Sequence, residues 1–230
     1  MAADMNPIHS AAPAEPASVP VPVPIAAPDV LTGPTGYHPL HPDVSVNFQL
    51  NRWLSAMTPR ALADVAEVAA RAPSYRELIP QFLALGDRLL AAGRRLDAAF
   101  CYRAAEFFLT PDDQRKQPAR RRFVELVRGV YGIGPQHLTQ VPYQDVTLPV
   151  IRFGQPHRGT VVLFGGFDSY LEERVPAMLA FAHAGYQVIA FEGPGQGAVL
   201  DDQAMPMTPD WPSAPPPGSR GSHGSSPTTC

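Results

Sequence analysis

Two apolar runs with an amphipathic stretch between them constrain this chain more than any other feature. "GTVVLFGG" (Gly159 to Gly166) is apolar without interruption from Val161 to Phe164. It reads as a strand buried on both faces, ending in a glycine turn. "YLEERVPAMLAFAHAGY" follows with helical periodicity and stops at Gly185. "QVIAFEGPGQG" is a second buried strand that runs into another glycine loop. Strand, helix, strand in this order predicts a right-handed βαβ unit of a parallel sheet.

The residues before it divide in two. "LTQVPYQDVTLPVIRFG" predicts two strands joined by a tight turn at Gln144–Asp145. From Phe48 to about Gly134 the pattern is helical. Thr58 is placed to cap a helix whose first position is Pro59. Ser74 and Glu77 have capping-box spacing, and Leu78, Phe82, Leu85 and Leu89 form an apolar stripe behind them. Pro80 should kink or restart that helix. Ala98, Tyr102 and Ala105 share one side of the next. Gly132 and Gly134 mark the end of the helical part.

Composition sets off the two ends. Of the 28 prolines, ten precede residue 46 and seven follow residue 205. Alternating prolines such as "VPVPVP" favour extended backbone and cannot build a core, so residues 1–45 read as a disordered arm. After Trp211 the chain becomes "PSAPPPGSRGSHGSSPTTC", with no apolar period. Residues 212–230 therefore read as a disordered tail, of the composition expected when GC-rich codons are translated out of frame. The parts between are a helical segment, 46–137, and a strand-rich segment, 138–211.

Charge and cysteines narrow the function classes. The formal net charge of -3 gives no general attraction to nucleic acid or an anionic membrane. The run "RKQPARRR" (Arg115 to Arg122) reads as a solvated helix face. Two cysteines, Cys101 and Cys230, build neither a disulfide framework nor a zinc site and suit a reducing cytoplasmic setting. No window is long and apolar enough to span a membrane, and "MAADMNPIHS" lacks the regions of a secretory signal. His38 and His41, flanked by prolines, read as loop residues rather than metal ligands.

Chemistry concentrates at the two glycine turns. Gly165–Gly166–Phe167–Asp168 follows a strand, and a sharp backbone turn there can expose N–H groups to a developing oxyanion. A tight strand-to-helix turn with no chemistry has the same spacing. "FEGPGQGA" imitates the dinucleotide fingerprint at Gly193, Gly195 and Ala198. Pro194, however, removes one N–H from the phosphate cradle, and "VLDDQAMPM" does not read as the helix that should follow.

Six blocks in order, "NFQLNRWLS", "AAFCYRAAEFFLTPDD", "VPYQDVTLPVIRF", "FGGFDSYLEE", "AGYQVIAFEGPGQGA" and "MPMTPDW", resemble one branch of the α/β-hydrolase superfamily. It is the branch with an N-terminal helical cap, similar to dihydroxypseudooxynicotine hydrolase and the fermentation–respiration switch esterases. The resemblance runs from about Val46 to Trp211. It implies an α/β fold in which a helical cap precedes the first half of a hydrolase sheet. It also implies a small-molecule carbonyl substrate, no cofactor and no metal, with a homodimer as one candidate assembly. Gly165, Gly166 and Phe167 become oxyanion-hole candidates, and Asp168 and Glu192 become residues that support the turn from behind. Phe164 stands where the family has a His.

Relatives of that branch continue to a nucleophile elbow, G-x-S-x-G, and then to an acid and a His. No such elbow follows Trp211. Ser219, Ser222 and His223 lie in a segment with no strand before them, and His157 and His183 have no nucleophile partner. Loss of triad members lowers turnover by roughly a million-fold, about 8 kcal/mol of barrier. The expectation is therefore a hydrolase relative that is truncated and inactive as it stands.

A different class fits some of the same residues. Phe82, Leu85, Gly86, Leu89, Ala98, Tyr102 and Ala105 fall close to tetratricopeptide spacing, which would make the helical part an interaction module. A single repeat cannot bury its own faces, and no second copy lies about 34 residues away.

Overall fold

One helix, buried on every side, organises the first half of the molecule. The computed structural model describes residues 22–23 and 33–209. In it α4 (Arg95–Phe108) is buried continuously from Leu96 to Glu106. Around it lie α1 (Val44–Leu54), α2 (Ala61–Arg71), α3 (Tyr75–Ala91) and α5 (Lys116–Tyr131). The apolar stripe expected on α3 is the buried one: Leu78, Phe82, Leu85 and Leu89 all face the core. Ala98, Tyr102 and Ala105 of α4 meet that stripe. At Gly86 the Tyr102 ring packs directly on the α3 backbone, since a Cβ there would stand 2.8 Å from Cε1 of Tyr102.

Several local expectations are corrected. Helix α1 begins at Val44, ahead of the boundary read from sequence, because Asp43 caps it by accepting from Val46 N–H. Thr58 does not cap α2, which starts at Ala61. Its N–H and hydroxyl instead both donate to the buried Asp97 carboxylate, at 2.8 and 2.9 Å. Pro80 sits inside an unbroken α3, and Ser74 meets Glu77 side chain to side chain. His41 is a structural tie. Its Nδ1 accepts from Asp43 N–H, which leaves Nε2–H to donate to the Ala72 carbonyl, each at 3.0 Å.

The second half is a four-stranded mixed sheet in the order β1-β2-β4-β3. Strands β1 (Leu138–Tyr143) and β2 (Val146–Phe153) form the expected hairpin around Gln144–Asp145, and Gln144 takes φ 51°. Strand β4 (Gln187–Phe191) lies antiparallel to β2 and parallel to β3 (Thr160–Phe164). The crossover from β3 to β4 is a 3-10 turn, Leu171–Arg174, continued by α6 (Val175–His183), so the βαβ unit is present. A short helix, α7 (Gly197–Gln203), follows β4 where the sequence reading expected none.

Strand β3 also departs from its reading. Its unpaired edge is the one expected of a chain without the following strand, since β4 is its single neighbour among the described residues, but one face is uncovered: Val162 and Phe164 are 56% and 60% exposed. An uninterrupted apolar run identifies a strand but not how many of its faces are covered. Among the described residues no helix is long and apolar enough to cross a membrane. The proline-rich arm to residue 21, Trp211, Ser219, Ser222 and His223 lie outside the described residues.

Candidate functional site

The turn after β3 uses its carbonyls and leaves two amides free. Gly165 C=O accepts from Gln196 Nε2 at 2.7 Å, which ties this turn to the glycine loop after β4. Gly166 C=O accepts from Ser169 through its N–H, at 3.3 Å, and its hydroxyl, at 3.2 Å. Among the described residues the N–H groups of Gly166 and Phe167 find no acceptor. Both residues are exposed. A Cβ at 165 would crowd the Ser169 hydroxyl, which would have to turn away from Gly166 C=O.

Phe167, the second of these two exposed residues, lines a cavity of about 340 Å³ between the helical half and the sheet half. Phe167, Asp168 and Ser169 form its sheet side, Phe107, Pro111 and Lys116 its helical side, and Gly197, Leu200 and Asp201 its rim. Phe167 is 71% exposed, so its ring offers apolar surface to whatever enters.

Behind the cavity a chain of buried charges joins the two halves. Arg103, in the middle of α4, is 1% exposed. Its Nε donates to Glu173 Oε1 at 2.7 Å, its Nη1 pairs with Glu106 and its Nη2 donates to the Asp168 carbonyl. The guanidinium lies 4.8 Å from the Tyr170 ring centre. Arg52 of α1 pairs with Asp168 and Glu173, each at 2.9 Å. Lys116 closes on Glu106 at 2.6 Å. Burial works against the Arg103 charge, but Glu173 and Glu106 outweigh it, and its pKa lies above the ordinary value.

The basic run on α5 is therefore only partly a solvated face. Lys116, Arg120 and Arg122 all have carboxylate partners, and Arg120 reaches Asp202 of α7 across the interface. Arg128 does the same to Glu172 at 2.7 Å.

Asp168 and Glu192 hold backbone in place. Asp168 is gripped by Arg52 through its carboxylate and by Arg103 through its carbonyl. Glu192, 4% exposed, accepts from Leu171 N–H at 3.1 Å and from Ala198 N–H at 2.7 Å. It thereby clamps the segment after the β3 turn to the start of α7. Gly197 makes room for it: its φ is +37°, and a Cβ there would lie 2.2 Å from Glu192 Oε1. Burial, with the charge of Glu172 nearby, pushes the Glu192 carboxyl up to about 7.

Of the residues singled out from sequence, Phe167 and Asp168 line this cavity, Glu192 lines a separate one on the α5 side, and Gly165 and Gly166 line neither. Sequence reasoning missed Arg52, Arg103, Glu106, Tyr170 and Glu173. A signal for two of them was present: in "AAFCYRAAEFF" an Arg and a Glu three residues apart interrupt an otherwise apolar helix, the pattern of a buried pair. Among the described residues the Ser55, Ser74 and Ser169 hydroxyls bond to groups other than histidine.

No protein-family model matches the chain. It is 34% identical over 167 residues to the hydrolase acrC of Aspergillus aculeatus, covering 62% of this chain and 39% of that protein. It is 31% identical over 211 residues to the α/β hydrolase psoB of Aspergillus fumigatus, covering 76% of this chain and 47% of that protein. The chain therefore spans less than half the length of these relatives. Among solved structures it resembles AbyA5, with a TM-score of 0.50, 21% identity, and 65% of this chain on 45% of that one, a likeness of fold alone.

Proposed function

This chain is a relative of the α/β hydrolases, and from that premise we propose that the cavity between its helical and sheet halves holds the carbonyl group of a small molecule. One observation carries the reading: the N–H groups of Gly166 and Phe167 have no protein acceptor among the described residues, on the turn whose Phe167 lines that cavity. Two donors without a protein acceptor, on a turn whose carbonyls are held by Gln196 and Ser169, suit an oxygen that gains negative charge. In a serine hydrolase a Ser attacks the carbonyl, with a His as base and an acid to orient it. The residues of this chain contribute binding and one side of the oxyanion hole. The helical segment, 46–137, acts as the cap, and 138–211 as the first part of the core. Substrates of this class are ester, amide or activated carbon–carbon bonds of small molecules.

On this reading the 230 residues alone bind a carbonyl compound without cleaving one. Titration calorimetry with butyrophenone and with butylbenzene, its analogue without the carbonyl, tests the binding. Butyrophenone should bind at least tenfold more tightly, and equal affinities would defeat the reading. The chain should leave 4-nitrophenyl butyrate at its spontaneous rate of hydrolysis.

A further inference from the structure

A second cavity, of about 310 Å³, lies on the α5 side of the same wall. Among the described residues Tyr170 is the single side chain that lines both spaces. Neighbours in sequence divide between them. Ser169, Gly197 and Asp201 face the cavity at the β3 turn, while Leu171, Ala198 and Asp202 face the other. The boundary is therefore one layer thick, made by the Tyr170 ring and the first turns of α7.

The ring is held by two guanidinium groups and at its tip. Arg103 stacks on it at 4.8 Å and Arg120 lies 5.9 Å from its centre. Its hydroxyl stands 2.5 Å from Asp201 Oδ2 and 3.1 Å from Glu106 Oε1. Tyr170 is 7% exposed, so nothing in solvent competes for that position. Of the charges that line the far cavity, Arg120 is paired with Asp202 and Arg128 with Glu172, while Arg121 and Glu125 are exposed to solvent. Between them Val124, Pro149 and Leu171 present apolar surface. Such a space suits an uncharged tail better than an ionic group.

We infer that Tyr170 is a specificity-determining partition: it ends the carbonyl-binding cavity and restricts it to compounds with a short acyl or alkyl part. This rests on the reading of the cavity given above. Methylenes beyond the wall stay in water and add no affinity. Without the ring they enter the second space and are buried, so each added methylene raises affinity.

The test compares butyrophenone with octanophenone by titration calorimetry on the full chain and on Tyr170→Phe and Tyr170→Ala. In the wild type and in Tyr170→Phe, which keeps the ring, the longer ketone should bind no more than about threefold tighter. In Tyr170→Ala it should bind at least thirtyfold tighter. Tyr170→Leu replaces the alanine variant if that protein loses the near-ultraviolet circular dichroism of the wild type. An unchanged preference in the ring-free variant overturns the partition while leaving the carbonyl cavity standing. A wild type that already favours octanophenone thirtyfold also overturns it. Failure of both ketones to bind any of the proteins removes the cavity reading, and the partition with it.

Discussion

Arg103 Nε lies 2.7 Å from Glu173 Oε1, and this buried contact joins the central helix of the first half to the segment that follows the β3 turn. The same guanidinium holds the Asp168 carbonyl. The position of the free amides at Gly166 and Phe167 is therefore set from the helical half as well as from the sheet. Taking Arg103 out of water is unfavourable in itself, and only its complete set of partners offsets that.

Removing the arginine leaves Glu106 and Glu173 buried with part of their neutralisation gone. Arg103→Met should destabilise the chain by about 3–5 kcal/mol, read from urea unfolding. Arg122→Met, at an exposed pair with Asp87, should change stability by less than about 1 kcal/mol. Equal effects would mean that the buried network does not join the halves.

Glu192 should give the protein a pH-dependent stability. Its folded pKa, raised by burial to about 7, exceeds the ordinary 4.5, so between these values the folded state binds more protons than the unfolded one. Stability should fall as pH rises from about 4.5 to about 7, by on the order of 3 kcal/mol, and level off above. Glu192→Gln should flatten this slope in thermal unfolding from pH 5 to pH 8. A slope that persists in the variant assigns the titration to another group.

Gly86 is held against a ring that cannot retreat, because the Tyr102 hydroxyl bonds to Asp87 at 2.6 Å. A methyl group there would stand 2.8 Å from that ring. Gly86→Ala should destabilise by about 1–3 kcal/mol, although alanine is the better helix former. A gain in stability would show that α3 and α4 separate easily.

The uncovered face of β3 should make the chain self-associate. Val162→Lys and Phe164→Lys place charge on an exposed strand edge and should reduce association in light scattering, with little change in stability. Unchanged association would place the sticky surface elsewhere.

Much of the fold was legible because it is written in periodicity. The α3 stripe, the Gln144–Asp145 hairpin and the β3–α6–β4 unit follow from spacing and turn residues. The faces of β3 were not legible, because Val162 and Phe164 look the same whether or not a layer covers them. Helix α7 was hidden because "GAVLDDQ" is short, and it is held by Glu192 from another element rather than by its own propensity. At the site, the paired glycines after an apolar run marked the turn, and Gly165 is the one that packs closely on Ser169. The charges that fix it lie 65 to 121 residues apart in sequence, and no local pattern pairs Arg52 or Arg103 with Asp168 and Glu173.

The central claim is that the amides of Gly166 and Phe167 receive a carbonyl oxygen. The measurement closest to it is an amide nitrogen–proton correlation spectrum of the labelled chain, titrated with butyrophenone and with butylbenzene. The account predicts that the Gly166 and Phe167 signals move with the ketone, toward the values of hydrogen-bonded amides, and stay in place with the hydrocarbon. Signals that ignore both, or follow both alike, would contradict it.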